Sequence, residues 1–134
     1  MRNELKDVSN IEGVAYTGIV AAMEMAYKTA VDAGWYNDPI TGVLKKRNFG
    51  EVIALMHSEL SEALEADRKG LKDGKLSDLD GRAVEFADCI IRIFDTARAL
   101  NLPLAEAFIH KNRYNQQRAD HKPENRKQKG GKKY

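Results

Sequence analysis

Cysteine is all but missing from this chain of 134 residues: Cys89 stands alone. No intrachain disulfide can form, and a reducing compartment is the natural setting. Long hydrophobic runs are missing as well. No apolar stretch approaches the roughly 20 residues that a membrane-spanning helix needs. The N-terminus, with Glu4 and Asp7, lacks a secretory pattern. These absences lead to the expectation of a cytoplasmic protein with no membrane partner. Strand signals are nearly absent, and neither an internal repeat nor a low-complexity segment precedes the C-terminal end, which excludes a repeat array.

What is present is a balanced mixture, 43% hydrophobic and 31% charged residues, enough for one domain with a real hydrophobic core. The net charge of +2 hides an asymmetry. Residues 122–134, KPENRKQKGGKKY, hold six Lys or Arg against one Glu, leaving 16 basic and 19 acidic residues in the remainder, a net of −3. We therefore divide the chain into a domain over 1–121 and a basic, flexible tail over 122–134. Such a tail can steer polyanions, nucleotides among them, toward the protein. No aromatic interleaving or recognisable binding module accompanies it, so specific nucleic-acid binding is not expected.

The periodicity predicts four helices. The first spans about Gly13 to Ala33, with an apolar face of Val14, Ile19, Val20, Met23, Tyr27, Ala30 and Val31. Gly34 stops it, and a turn-rich link carries Trp35 and Tyr36. The second starts with Asn48 as N-cap and Glu51 three residues later, a variant of the capping box, and runs to Lys69 before Gly70. Its apolar residues, Leu55, Leu60 and Leu64 among them, wrap widely enough to predict burial from two sides. The third covers about Arg82 to Leu100, with Asn101 as C′ residue. The fourth runs from Pro103 to about Arg118 and buries Leu104, Ala107 and Phe108. An all-α, four-helix bundle or a helical unit completed by dimerisation follows.

Two of these helices carry matched acidic pairs, Glu59 and Glu62 in HSELSEALE and Glu85 and Asp88 in VEFADCIIR. Residues three apart share a helix face, and antiparallel packing of the two helices would bring all four acids together. One such pair is ordinary solvent-facing decoration. Two pairs set among Met56, Leu60, Ala63, Val84, Ala87 and Ile91 are not, because acids pressed near a core repel one another unless a cation or an arginine compensates them. A site of oxygen donors with few nitrogens suits Mg2+ or Mn2+, and such an ion handles phosphates.

Other residues carry weaker signals. Trp35 and Tyr36 are candidates to stack on a base, although an aromatic at such a link more often plugs a bundle end. Lys45, Lys46 and Arg47 precede a helix N-terminus that favours anions, and the simpler reading is a solvated loop. His57 reads as a helix-surface or satisfied core histidine, Cys89 as a small buried residue, and Met23, Met25 and Met56 as packing.

The acidic pairs, followed by Lys111, Asn112, Arg113 and Tyr114, give the chain its resemblance to the MazG-like all-α nucleoside triphosphate pyrophosphohydrolases. That family's signature is E-x-x-E on one helix, E-x-x-D on the next, and a Lys/Asn/Arg-rich segment after them. The resemblance covers roughly Phe49 to Arg118 and is closest to the phage and bacterial branch of dATP/dGTP diphosphohydrolases. It implies a MazG-like bundle completed by oligomerisation, as a homodimer or homotetramer, and hydrolysis of a purine nucleoside triphosphate, dGTP/GTP or dATP favoured, between the α and β phosphates. Glu59, Glu62, Glu85 and Asp88 are then the metal ligands, with Glu59 alternatively positioning or deprotonating the attacking water. Lys111 and Arg113 would meet charge on the leaving pyrophosphate, Asn112 would contact sugar or phosphate, and Tyr114 would contact substrate; Trp35, outside the segment that carries the resemblance, is the substrate-binding candidate by its aromatic ring alone.

Rival readings differ in what they need. A carboxylate-bridged di-iron bundle requires Glu-x-x-His, and neither pair has histidine at that spacing. A helical interaction or nucleic-acid-binding protein would keep the fold without metal dependence. A phosphoribosyl-ATP pyrophosphohydrolase would share the acids and differ in substrate.

Overall fold

The computed structural model describes residues 8–132; Glu4, Asp7 and the last two tail residues, Lys133 and Tyr134, lie outside the described residues. Among the described residues there is no β-strand, and the chain is helical: α1 (Val8–Asp32), α2 (Phe49–Lys69), α3 (Gly81–Ala99), α4 (Leu104–Gln117), a 3-10 turn at Ala119–His121 and the short α5 (Pro123–Arg126). The all-α class stands. Helix α1 begins five residues before the expected Gly13, and Pro103 sits one position outside α4, as its N-cap. The chain divides into two compact units, one of Ala21–Leu102 and the other of the chain up to Val20 together with Pro103 onward.

In the Ala21–Leu102 unit, α2 starts where its sequence says. The Asn48 side chain accepts a hydrogen bond from the Glu51 N–H at 3.2 Å, satisfying one of the donors that a helix start leaves open. Gly70 ends α2 in the left-handed conformation at φ 62°, and its N–H returns to the carbonyls of Ala66 and Asp67. The link to α3 is folded on itself. Asp73 Oδ1 accepts from the N–H groups of Lys75 and Leu76, and Gly81 N–H donates to the Leu71 carbonyl at 3.1 Å. Asp80 then caps α3 through the Arg82 N–H.

Helices α2 and α3 run antiparallel: Asp67 pairs with Arg82 at 2.8 Å, and Glu59 further back along α2 pairs with Arg92 further along α3 at 2.7 Å. Val52, Met56 and Cys89 form the buried centre of this hairpin, with Ile53 and Ile93 packed against it. In the second half of α1, Met23, Ala26 and Ala30 are buried. Arg98 of α3 pairs with Glu24 and lies over the Tyr27 ring at 5.2 Å.

The expected burial of α2 from two sides is not found. Leu55, Leu60 and Leu64 are exposed, as are Phe86, Ile90 and Ile91 of α3. The apolar stripe of each helix is wider than the face its neighbour in the same chain covers. Met25, read as packing, is 70% exposed because it points away from the Met23, Ala26 and Ala30 row.

In the other unit, α4 buries Ala105 and Ile109 rather than the expected Ala107 and Phe108, which are exposed, while Leu104 is half-buried. The core-facing row is thus offset from the one chosen by size. The start of the basic tail is folded as a helical turn beginning at Pro123, with Asn125 Nδ2 donating to the Ala119 carbonyl at 2.7 Å.

Candidate functional site

The acids come together on the α2–α3 hairpin. Oxygens of Glu59, Glu85 and Asp88 lie within 4.8 Å of one another. Glu59 projects from the buried side of α2, and Glu85 and Asp88 stand on successive turns of α3, half-buried and exposed respectively. Antiparallel packing is what sets one against the others, as the three-residue spacings require. Glu62 is exposed and outside this trio, yet its charge still reaches it. Burial first, then the charges of Glu62, Glu59 and Asp88, push the Glu85 carboxyl above its ordinary value of 4.5. All four acids named from the sequence therefore share one electrostatic neighbourhood, three in near contact and the fourth at its rim.

A cation that sequence reasoning did not name is built into this cluster. Arg92 donates through Nε to Glu59 Oε1 at 2.7 Å, with Nη2 at 2.7 Å from the same oxygen. This offsets the burial of Glu59, a buried carboxylate set beside those of Glu85 and Asp88. It also fixes one oxygen of the group. The signal was available: Arg92 lies four residues after Asp88 and seven after Glu85, on the same face of α3.

The donor set fits a hard divalent cation. Three carboxylates supply oxygen ligands without histidine or thiolate, which is the chemistry of magnesium and manganese rather than of zinc or copper. The raised Glu85 carboxyl reflects its burial first and the neighbouring carboxylates second.

The remaining sequence candidates lie elsewhere. Lys111, Asn112, Arg113 and Tyr114 are exposed on α4, in the second unit. There Arg113 grips Glu12 of α1 with both arms of its guanidinium, Nε at 2.8 Å from Oε1. That pairing holds the Glu12 carboxyl below its ordinary value and the Arg113 guanidinium above its own. Lys111 Nζ stands 4.9 Å from the centre of the Tyr114 ring, and Arg118 lies over the same ring at 5.9 Å.

Trp35 is 63% exposed and does not plug a bundle end. Tyr36, its companion candidate, is turned inward instead. Its ring packs against Tyr27 at 5.2 Å, and its hydroxyl donates to Asp95 Oδ1. Arg47 is not the solvated loop residue its sequence suggested. Its guanidinium lies over the Tyr36 ring at 5.4 Å and its Nη1 stands 3.5 Å from Asp95 Oδ1, because Asp95 is buried and needs compensation. Burial, followed by the hydrogen bond to Asp95, pushes the Tyr36 hydroxyl up from 10.0 to about 12. His57 is exposed on α2 and Cys89 is buried, as read from sequence.

No family model matches the chain, and no curated protein and no solved structure matches it either. Among the described residues, no helix is long and apolar enough to cross a membrane.

Proposed function

We propose that this chain is a divalent-metal-dependent nucleoside triphosphate pyrophosphohydrolase that splits a purine ribo- or deoxynucleotide, dGTP/GTP or dATP favoured, between its α and β phosphates, giving the monophosphate and pyrophosphate. The observation that carries this reading is the convergence of Glu59, Glu85 and Asp88 within 4.8 Å on facing helices. Their spacing is also that of the MazG-like signature. Carboxylates held this close repel a bare triphosphate, so they suit such a substrate only with metal between them.

Glu59, Glu85 and Asp88, with Glu62 at the rim, are the groups that would hold Mg2+ or Mn2+. The chemistry such an ion supplies when bound is polarisation of the α-phosphoryl group and a lowered pKa for water. Arg92 clamps Oε1 of Glu59 and so sets the direction in which that carboxylate ligates or accepts a proton from the attacking water. Lys111 and Arg113 are assigned to the pyrophosphate, Asn112 to sugar or phosphate, and Tyr114 to substrate contact on the family resemblance alone. The same resemblance supplies the four-helix MazG-like bundle, the homodimer or homotetramer and the cytoplasmic location that complete the proposal. The exposed apolar residues Leu60 and Leu64 of α2 and Phe86 of α3 favour the oligomer.

The test is incubation with every ribo- and deoxynucleoside triphosphate plus Mg2+, separating monophosphate from diphosphate products. Monophosphate and pyrophosphate, formed only with metal, are expected. Glu85→Gln and Asp88→Asn should each lower turnover at least ~100-fold, the scale on which a positioned catalytic group acts, with helical circular dichroism unchanged. Mg2+ should raise the melting temperature of the unmodified chain and not that of either variant. Full activity in both variants would remove the acids from the chemistry.

A further inference from the structure

Beside the acidic cluster, within the Ala21–Leu102 unit, lies a cavity of about 550 Å³. That is the size of an ordinary small-molecule site, apolar with a few polar groups. Its walls include Leu55 of α2 and Ile91 of α3. Asp88 of the acidic cluster lines it too, and so do Trp35, Arg47 and Asp95. Resting on the pyrophosphohydrolase reading above, we propose that this cavity holds the nucleoside and that Asp95, with Arg47, reads the base and selects guanine.

The geometry is of the right scale. Asp88 and Asp95 are seven residues apart on α3, two turns on one face, or roughly 10 Å along the axis. This is the span from the 5′ end of a nucleoside to the far edge of its base. A phosphate group at Asp88 therefore puts the base beside Asp95.

The polar groups at that end are selective. Asp95 is buried, and the partners that hold it, the Tyr36 hydroxyl and Arg47 Nη1, both meet Oδ1. Among the described residues no hydrogen-bond donor meets Oδ2. A carboxylate accepts and does not donate, while a guanidinium only donates. Guanine offers the complement: N1–H and the 2-amino group are adjacent donors for the carboxylate, and O6 beside them accepts from the arginine. Adenine fails on the same edge, because its unprotonated N1 faces the carboxylate oxygen with no hydrogen between them. Cytosine offers one amino donor beside an unprotonated ring nitrogen. A buried polar group left unpaired by the wrong base is the strongest source of such discrimination.

Trp35 makes the test independent of catalysis. It is the only tryptophan in the chain and it lines the cavity, so its fluorescence reports occupancy. The full chain, free of divalent metal, is titrated with 2′-deoxyguanosine, 2′-deoxyadenosine and 2′-deoxycytidine, none of which carries a phosphate. Saturable quenching by deoxyguanosine, with the other two about tenfold weaker or more, is the expected result. Asp95→Asn should abolish that preference, since its amide presents a donor to guanine's donors. Ile91→Trp, at an exposed helix position that lines the cavity, should block deoxyguanosine binding measured by titration calorimetry, since the added tryptophan would mix with the Trp35 signal, with circular dichroism unchanged, and it keeps the test decisive if Asp95→Asn misfolds.

Equal binding of the three nucleosides, a guanine preference retained in a folded Asp95→Asn protein, or binding undiminished in Ile91→Trp would overturn the proposal. Selective nucleoside binding without hydrolysis of any triphosphate would leave the pocket standing and remove the enzymatic reading. Hydrolysis with no base discrimination would do the reverse.

Discussion

Tyr36 shows how much the setting of a single residue decides. In the sequence it is one of two adjacent aromatics in a turn-rich link; in the fold its hydroxyl serves a buried carboxylate, and burial and Asp95 together hold the hydroxyl's proton to about pH 12. The unfolded chain releases the same proton near its ordinary 10.0. The folded pKa is raised, so the stabilising contribution of the neutral hydroxyl is complete below pH 10 and is lost as pH climbs from there through 12. Phenolate absorbance should accordingly show one of the five tyrosines titrating late. Tyr36→Phe should remove that late step and flatten the loss of stability over the same range. Loss of a tyrosine titrating at the ordinary value instead would refute the assignment. Arg47 and Asp95 were less legible than Tyr36 itself: Arg47 sits in a basic run that reads as solvated, and its partner is 48 residues away in sequence.

At the scale of elements, the hairpin of α2 and α3 depends on how its connection closes. Gly81 opens α3 against the end of α2. A Cβ there would come 2.8 Å from the Leu71 carbonyl oxygen and 3.1 Å from Ala66 Cβ. Backbone oxygen cannot swing aside, so Gly81→Ala should destabilise the chain by about 1–3 kcal/mol, the usual cost of overpacking, seen as a lower denaturant midpoint. Gly70→Ala is the control with a different cause. Open space surrounds that Cβ, and only the φ of 62° penalises it, at about 1 kcal/mol. If Gly81→Ala costs no more than Gly70→Ala, steric closure of the hairpin is not what holds the acids opposite one another. Caps and stops were the most legible parts of these elements. Asn48, Gly70 and Asn101 act through their own backbone neighbourhood, and each stands where its local chemistry placed it, Asn101 at φ 52°.

At the scale of the whole molecule, the question is what covers the apolar surface that one chain leaves open. Leu60, Ala63, Leu64 and Phe86 line a groove on the α2–α3 hairpin, flanked by the Asp67–Arg82 ion pair. Among the described residues no large side chain is fully buried. Each Leu or Phe taken out of water adds about 1.5–3 kcal/mol, so a second copy seated on this groove gains substantially. We expect the chain to sediment as a dimer or tetramer at micromolar concentration. Leu64→Asp, at a position already exposed in the single chain, should shift it toward monomer while keeping its helical circular dichroism. A monomeric unmodified chain would leave the groove without that role.

The amino-acid sequence by itself determined the all-α class, the caps and stops of its helices, and the four acids as a set. Each depends on interactions within a few residues or on a helical period that linear spacing reports directly. Only the tertiary structure decided which of those acids meet and which side chains answer them. Packing set the buried Glu59 against the half-buried Glu85 and the exposed Asp88 and left Glu62 outside the trio, and it recruited Arg92 to the first carboxylate. It also turned Tyr36 and Arg47 toward a buried Asp95 that nothing in the linear order marks. The physical reason is the same throughout: burial of charge demands a partner, and which partner is within reach depends on how helices distant in sequence are set side by side.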